Sequence, residues 1–220
     1  ILGKEKNIMI PASCIAILVG FSAVIISPGS REIFKGLSSE HMYIMGFIKF
    51  ALLATVGECI ATRLTLKRWI LPQRIFERAF IWGIIGAVLA LILKIYSMGI
   101  EYTMENSILP GGSSVFLKAF YTSFIMNYSF GIVMMGFHKM TDKNIEIKSR
   151  GEKASSVSEI SRQIDWTSFI NFTVMKTIPF FWVPAHTITF MLPPEYQIVM
   201  AAYLSVALGI ILGIMPKKSA

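Results

Sequence analysis

Ionisable side chains are costly in hydrocarbon, so those inside long apolar stretches are the first places to look for chemistry. This chain has Lys49, Glu58, Arg63, Lys94, Lys118, Lys176 and His186 in or beside such stretches. In the orientation derived below, Lys49, Lys94 and Lys118 lie toward the outer ends of their stretches and Arg63 toward an inner end. Long basic side chains in those places reach water by snorkelling, or form a positive ring that selects anions. Glu58 and Lys176 lie deeper, each about 12 Å from the inner end of its stretch at the helical rise of roughly 1.5 Å per residue. Their equal depth makes an interhelical ion pair the expectation, either purely structural or part of a polar path.

The segment from Pro179 to Phe190 reads PFFWVPAHTITF. Pro179 and Pro184 each remove a backbone donor and crowd the preceding turn, so a helix kink is expected there. Irregular backbone at membrane depth must be buried in protein or line a cavity. Trp182 falls near mid-depth, away from the interfacial belts open to Trp69, Trp82 and Trp166, and His186, Thr187 and Thr189 follow on the same helix. Glu58, Lys176, Trp182, His186 and Thr189 are therefore the candidate residues of a pore or polar pathway. The catalytic alternatives lack their motifs: His41, His138 and His186 lie in separate elements, and there is no HExxH, no nucleophile turn around a Gly-x-Ser and no GxxxxGK loop. No enzyme activity, catalytic residue, metal site or cofactor is expected.

The elements that must position these residues are membrane helices. Of 220 residues, 54% are hydrophobic and 15% charged, and the mean hydropathy is +0.62, which sets the chain apart from soluble domains. Apolar stretches of spanning length run over about 8–26, 43–66, 78–100, 114–137, 168–192 and 196–215, separated by Pro- and Gly-rich breakers. The expected fold is all-α, a single polytopic transmembrane bundle of six spans over residues 1–220. The stretch before the first span, with Lys4 and Lys6, has signal-peptide flavour, but the apolar run is long and lacks a small-residue cleavage site, so it reads as a retained span.

Basic residues fix the expected orientation. Lys4, Lys6, Lys67, Arg68, Arg74, Arg78, Lys139, Lys143, Lys148, Arg150, Lys153, Arg162, Lys217 and Lys218 fall on one side of a six-span arrangement. Arg31 and Lys35 alone fall in loops on the other. Basic flanks stay cytoplasmic, so both termini are expected inside, and the net charge of +8 reports orientation rather than a nucleic-acid partner. The long connection at 138–165 carries Ser156 and Glu159 at capping-box spacing, with Val157, Ile160 and Ile164 at helical intervals. It reads as a cytoplasmic loop with a short amphipathic helix.

Ala201, Ser205, Gly209 and Gly213 recur every fourth residue in the last span and Ala12, Ala16 and Gly20 in the first, as helix packing in lipid requires. These seams are expected to pack within the bundle or to serve a dimer. Cys14 and Cys59 lie inside spans without metal or disulfide spacing and read as small buried hydrophobes.

The Trp182 segment, with His186 four residues on, Thr189-Phe190 beyond it and then Pro194, resembles the Mpv17/PMP22 family of peroxisomal and mitochondrial inner-membrane proteins and their prokaryotic relatives. That family typically has Gln at the His186 position and Asn-Phe at the Thr189-Phe190 position. Gly57-Glu58 stands where the family commonly has Gly-Asp, followed by Arg63. Arg78 leads through Gly83 and Gly86 to Tyr96, much as in the family's next helix. The family's following Asp-Gln falls near Thr122-Ser123, and its later Arg falls on Gln197 or Ile198. The resemblance covers about residues 45–195. It implies a weakly selective channel or transporter-like protein for a small, by the basic residues anionic, solute, with a lipid bilayer and further copies of itself as partners. The corresponding location is the cytoplasmic membrane of a prokaryote, or the mitochondrial inner or peroxisomal membrane of a eukaryote. Two other readings stay open. The span count, the length and the Ala12-x-x-x-Ala16 patch also look like the substrate-binding membrane subunit of an energy-coupling importer, which works with partner ATPases. The third reading is a non-conducting membrane scaffold.

Overall fold

The computed structural model describes the backbone of residues 2–153 and 156–214, with side chains from residue 9 onward except at 212. The end of the last apolar stretch at Met215, and Lys217 and Lys218, lie outside the described residues, as do the side chains of Lys4 and Lys6. The described chain is helical throughout its regular structure. Its helices are α1 Leu2–Ile26, α2 Pro28–Glu40, α3 Met42–Leu66, α4 Ile75–Glu105, α5 Val115–Met126, α6 Ile132–Ser149, α7 Val157–Arg162, α8 Trp166–Ser168, α9 Val183–Met191 and α10 Pro194–Ile214. Wider π-helical turns occupy Asn127–Gly131 between α5 and α6, and Phe169–Trp182 between α8 and α9.

Four helices are long and apolar enough to cross a membrane, through Met9–Ile26, Met42–Leu66, Ile75–Glu105 and Pro194–Ile211. On α4 the apolar side chains of Phe76, Phe80, Ile84, Val88, Leu91, Ile95 and Met98 are all exposed, three or four residues apart. That spacing makes one continuous outward stripe, a surface that only lipid or another protein covers favourably. The apolar stretches at 114–137 and 168–192 are built differently from the single spans expected. The first passes through α5, a π turn and α6, which continues to Ser149 instead of ending at Phe137. The second is mostly the Phe169–Trp182 π stretch followed by α9. Between the first two long helices, the connection folds into α2, with Pro28 at its first turn.

The chain divides into two compact units. The first comprises residues 1–88 and 198–220, the second Leu89–Gln197. In the first unit α3 is the central element. Its buried Phe50, Leu53, Ala54, Val56 and Gly57 meet other helices, and glycine sets the approach. A Cβ on Gly209 of α10 would stand 2.8 Å from the Gly57 carbonyl oxygen, and one on Gly57 would lie 3.1 Å from backbone atoms of Ser205 and Val206. The α3–α10 crossing is thus backbone on backbone, as small-residue packing in lipid allows. Gly213 continues this seam against Leu64, while Ala201 is buried and the Ser205 hydroxyl donates to the Ala202 carbonyl. The small-residue seam of α1 behaves otherwise: Ala12, Ala16 and Gly20 are exposed, and Cys14 on the opposite face packs with Val56 and Cys59.

In the second unit α5 and α9 pack closely. α5 starts at Ser114, whose hydroxyl accepts the Leu117 N–H at 3.3 Å, and buries Ala119, Thr122, Ser123 and Met126. The connection after α6 carries α7, whose first turn is capped by the Ser156 hydroxyl accepting the Glu159 N–H at 3.2 Å.

Candidate functional site

The second unit holds a buried cluster of uncharged polar side chains where α5 and its π turn meet α9. Ser123, Asn127, His186, Thr187 and Thr189 are all buried, and Trp182 is 9% exposed. Two features of the backbone bring them together. The first is the π turn beginning at Asn127, which follows directly on Ser123 and its buried face of α5. The second is the π stretch ending at Trp182, where the Val183 N–H bonds to the Ile178 carbonyl five residues back. Pro179 and Pro184 have no N–H to give, so the usual four-residue ladder fails around them; Pro179 lies in the π stretch, and Pro184 in the first turn of α9. The Thr177 hydroxyl follows the same register, donating to the Phe172 carbonyl at 3.2 Å.

The Ser123 hydroxyl donates to the Val183 carbonyl at 2.7 Å, tying α5 to the start of α9, and the Thr187 hydroxyl donates to the same oxygen at 2.7 Å. The Asn127 amide nitrogen donates to the Ser123 carbonyl at 2.8 Å. Its amide group also meets His186 Nδ1, with Nδ2 at 3.1 Å and Oδ1 at 3.2 Å. The His186 ring stacks on Trp182, centroids 5.1 Å apart and planes at 25°. The Trp182 indole N–H is buried without an acceptor. A buried donor left unpaired costs about 1–3 kcal/mol, so this group stands out in the cluster.

Among the residues singled out from sequence, Trp182, His186 and Thr189 share this region, although the Thr189 hydroxyl turns back to the Ala185 carbonyl at 3.0 Å. Lys176 is exposed. Glu58, in the first unit, is not paired as depth alone suggested. Its carboxylate receives Arg78 at 3.2 Å and the Trp82 indole N–H at 2.7 Å, from successive turns at the head of α4. The reason lies in the hairpin: α4 runs back alongside α3, so its first basic residue arrives beside the lower half of that helix.

Lys49 also departs from expectation. It does not snorkel but is 1% exposed, donating to the Ser38 hydroxyl at 2.8 Å with its ammonium 4.3 Å from the Phe34 ring centre. Both partners come from α2, four residues apart on one face, so this helix covers the lysine. Lys118 pairs with Glu101 at 2.5 Å, and Lys94 is exposed. Asn127 and Ser123 were missed as site residues. Asn127 carried a usable signal, an amide inside an apolar stretch where every polar group needs a partner, whereas a lone serine carries almost none.

No family model, no curated protein and no solved structure matches this chain.

Proposed function

We propose that the chain is an integral membrane protein of six spans with cytoplasmic termini, which passes a small polar solute across the bilayer with weak selectivity, in the manner of the Mpv17/PMP22 family it resembles. The observation that carries this reading is the Trp182–His186–Asn127 cluster. It is a set of buried polar groups in a chain of membrane helices, with the buried Trp182 indole N–H lacking an acceptor, beside a backbone that leaves α-helical register. Irregular backbone at membrane depth is buried in protein or lines a cavity, and π turns are frequent at functional sites. The experiment is solute flux in proteoliposomes containing this protein alone, read by light scattering after an osmotic step with urea, acetamide or glycerol. Protein-dependent swelling that falls severalfold in Trp182→Phe supports the reading. Swelling no faster than that of empty liposomes for every solute refutes it.

A second reading draws on α1. Its Ala12, Ala16 and Gly20 seam faces outward, and a Cβ built on Gly20 would meet nothing within 4 Å. An open small-residue seam suits a partner helix, as in the membrane subunit of an energy-coupling importer. Copurification with ATPase subunits favours that reading, and isolation without them favours the channel.

A further inference from the structure

We infer that the free nitrogen edges of Trp182 and His186 form a binding site for an uncharged small solute that presents a carbonyl oxygen. The inference rests on the solute-passing reading above and names the class of solute.

The argument begins with Asn127. Its Nδ2 is anchored by the Ser123 carbonyl, which can only accept. The other Nδ2 hydrogen has two acceptors in reach, the Ser123 hydroxyl oxygen at 3.3 Å and His186 Nδ1 at 3.1 Å, of which Nδ1 is the nearer; that contact is also shorter than the one from Oδ1, at 3.2 Å. Nδ1 is then the acceptor, and in the neutral imidazole the proton sits on Nε2. Among the described residues His186 has no other hydrogen-bond partner, so its Nε2–H is free. Trp182 supplies a second free N–H one helical turn away, on the ring against which the imidazole stacks. Two N–H donors with no acceptor match an oxygen with two lone pairs.

Charge decides the class. An anion placed here would need a cation to offset its lost hydration. None of Ser123, Asn127, Trp182, His186 and Thr187 bonds to a lysine or arginine, and Lys118 is occupied by Glu101. A carbonyl of an amide or urea needs only the two donors, so the site is set against the anionic solute that the basic residues alone suggested.

The test uses the full chain in lipid nanodiscs with ¹⁵N-labelled tryptophan. Its four indole N–H resonances belong to Trp69, Trp82, Trp166 and Trp182, and Trp182→Phe identifies the fourth. Acetamide and acetate, nearly the same size and differing in charge, are the probes. The Trp182 resonance is expected to shift saturably with acetamide and at least about tenfold more weakly with acetate, the scale of one hydrogen bond gained or lost. The Trp82 resonance, whose proton is committed to Glu58, should stay still. His186→Phe, which keeps a stacked ring but removes Nε2, should weaken the acetamide response about tenfold. If that variant does not fold, the wild-type titration decides alone. A Trp182 resonance that ignores acetamide, answers acetate equally, or shows contact with water only overturns the site. Binding without flux would leave the site standing and remove the channel, and flux with an unresponsive Trp182 would do the reverse.

Discussion

Two donors from α4, the Arg78 guanidinium and the Trp82 indole N–H, converge on the Glu58 carboxylate inside a membrane-length helix. The Arg78 and Glu58 side chains are 18% and 19% exposed, intermediate between a screened surface pair and a dry one. Replacing Glu58 by Gln should remove the carboxylate that Arg78 and Trp82 meet and destabilise the protein by about 1–3 kcal/mol, the scale of a charge-assisted hydrogen bond. Glu58→Gln with Arg78→Met should cost less than the sum of the two single changes, read as thermal unfolding in detergent. Strict additivity would show that the pair contributes nothing, and coupling with Lys176→Met instead would restore the partner that sequence depth suggested. The residue scale is where sequence reasoning was weakest. Polarity within an apolar stretch flagged Glu58, Trp182, His186 and Lys49, but the partner of each depended on neighbours that a one-dimensional depth count does not contain. Arg78 was counted as a loop charge, and Ser38 and Phe34 lay in a connection between the first two spans for which no helix was expected.

Elements separate along the same line. Four membrane-length helices and the absence of strand from the described residues were legible, because a run of about 20 apolar residues needs an intrasegment hydrogen-bond ladder. The π stretches were not legible, since hydropathy does not register whether a turn holds four or five residues. The prolines gave the place of the irregularity. Two tests belong at this scale. Gly209→Leu should destabilise the α3–α10 crossing by about 1–3 kcal/mol, because the atom in its way is the Gly57 carbonyl, and backbone cannot rotate aside. A thermal unfolding curve equal to wild type would show that α10 can be displaced freely. The second test concerns the end of α6. The Lys143 ammonium donates to Glu146 at 2.5 Å and, with Arg150 nearby, holds that carboxyl below its ordinary value of 4.5. A depressed carboxyl contributes stability above its ordinary pKa and loses it as pH falls through the shifted one. Amide exchange over 143–150, corrected for its intrinsic pH dependence, should therefore show protection that weakens below pH 4.5. Glu146→Gln should remove that pH dependence, and protection that does not change on acidification would count against the arrangement.

At the scale of the whole molecule the open quantity is topology. The four membrane-length helices include the first and the last, and the orientation of the rest turns on whether the π-containing segments 114–137 and 168–192 also cross. If both cross, the clusters Lys67–Arg78 and Lys139–Arg162 face the same side, and their basic residues all remain cytoplasmic. If only the first crosses, the C-terminal end moves to the side opposite the long connection, and if only the second crosses both lie outside; in either case basic residues must be translocated against the bias that holds Lys and Arg inside. The unequal partition of basic residues between alternate loops therefore favours two crossings. Single cysteines at Gln73 and at Lys148, in a Cys14→Ser and Cys59→Ser background, should react with an impermeant maleimide only after the membrane is opened, whereas one at Ser113 should react in intact cells. The three positions sample the connection after α3, the last turn of α6 and the connection after α4. Labelling of Lys148→Cys from outside with Gln73→Cys protected would mean that the α5–α6 segment does not cross, and the six-span arrangement would fall with it. Labelling at both positions from outside would invert the orientation while keeping the span count.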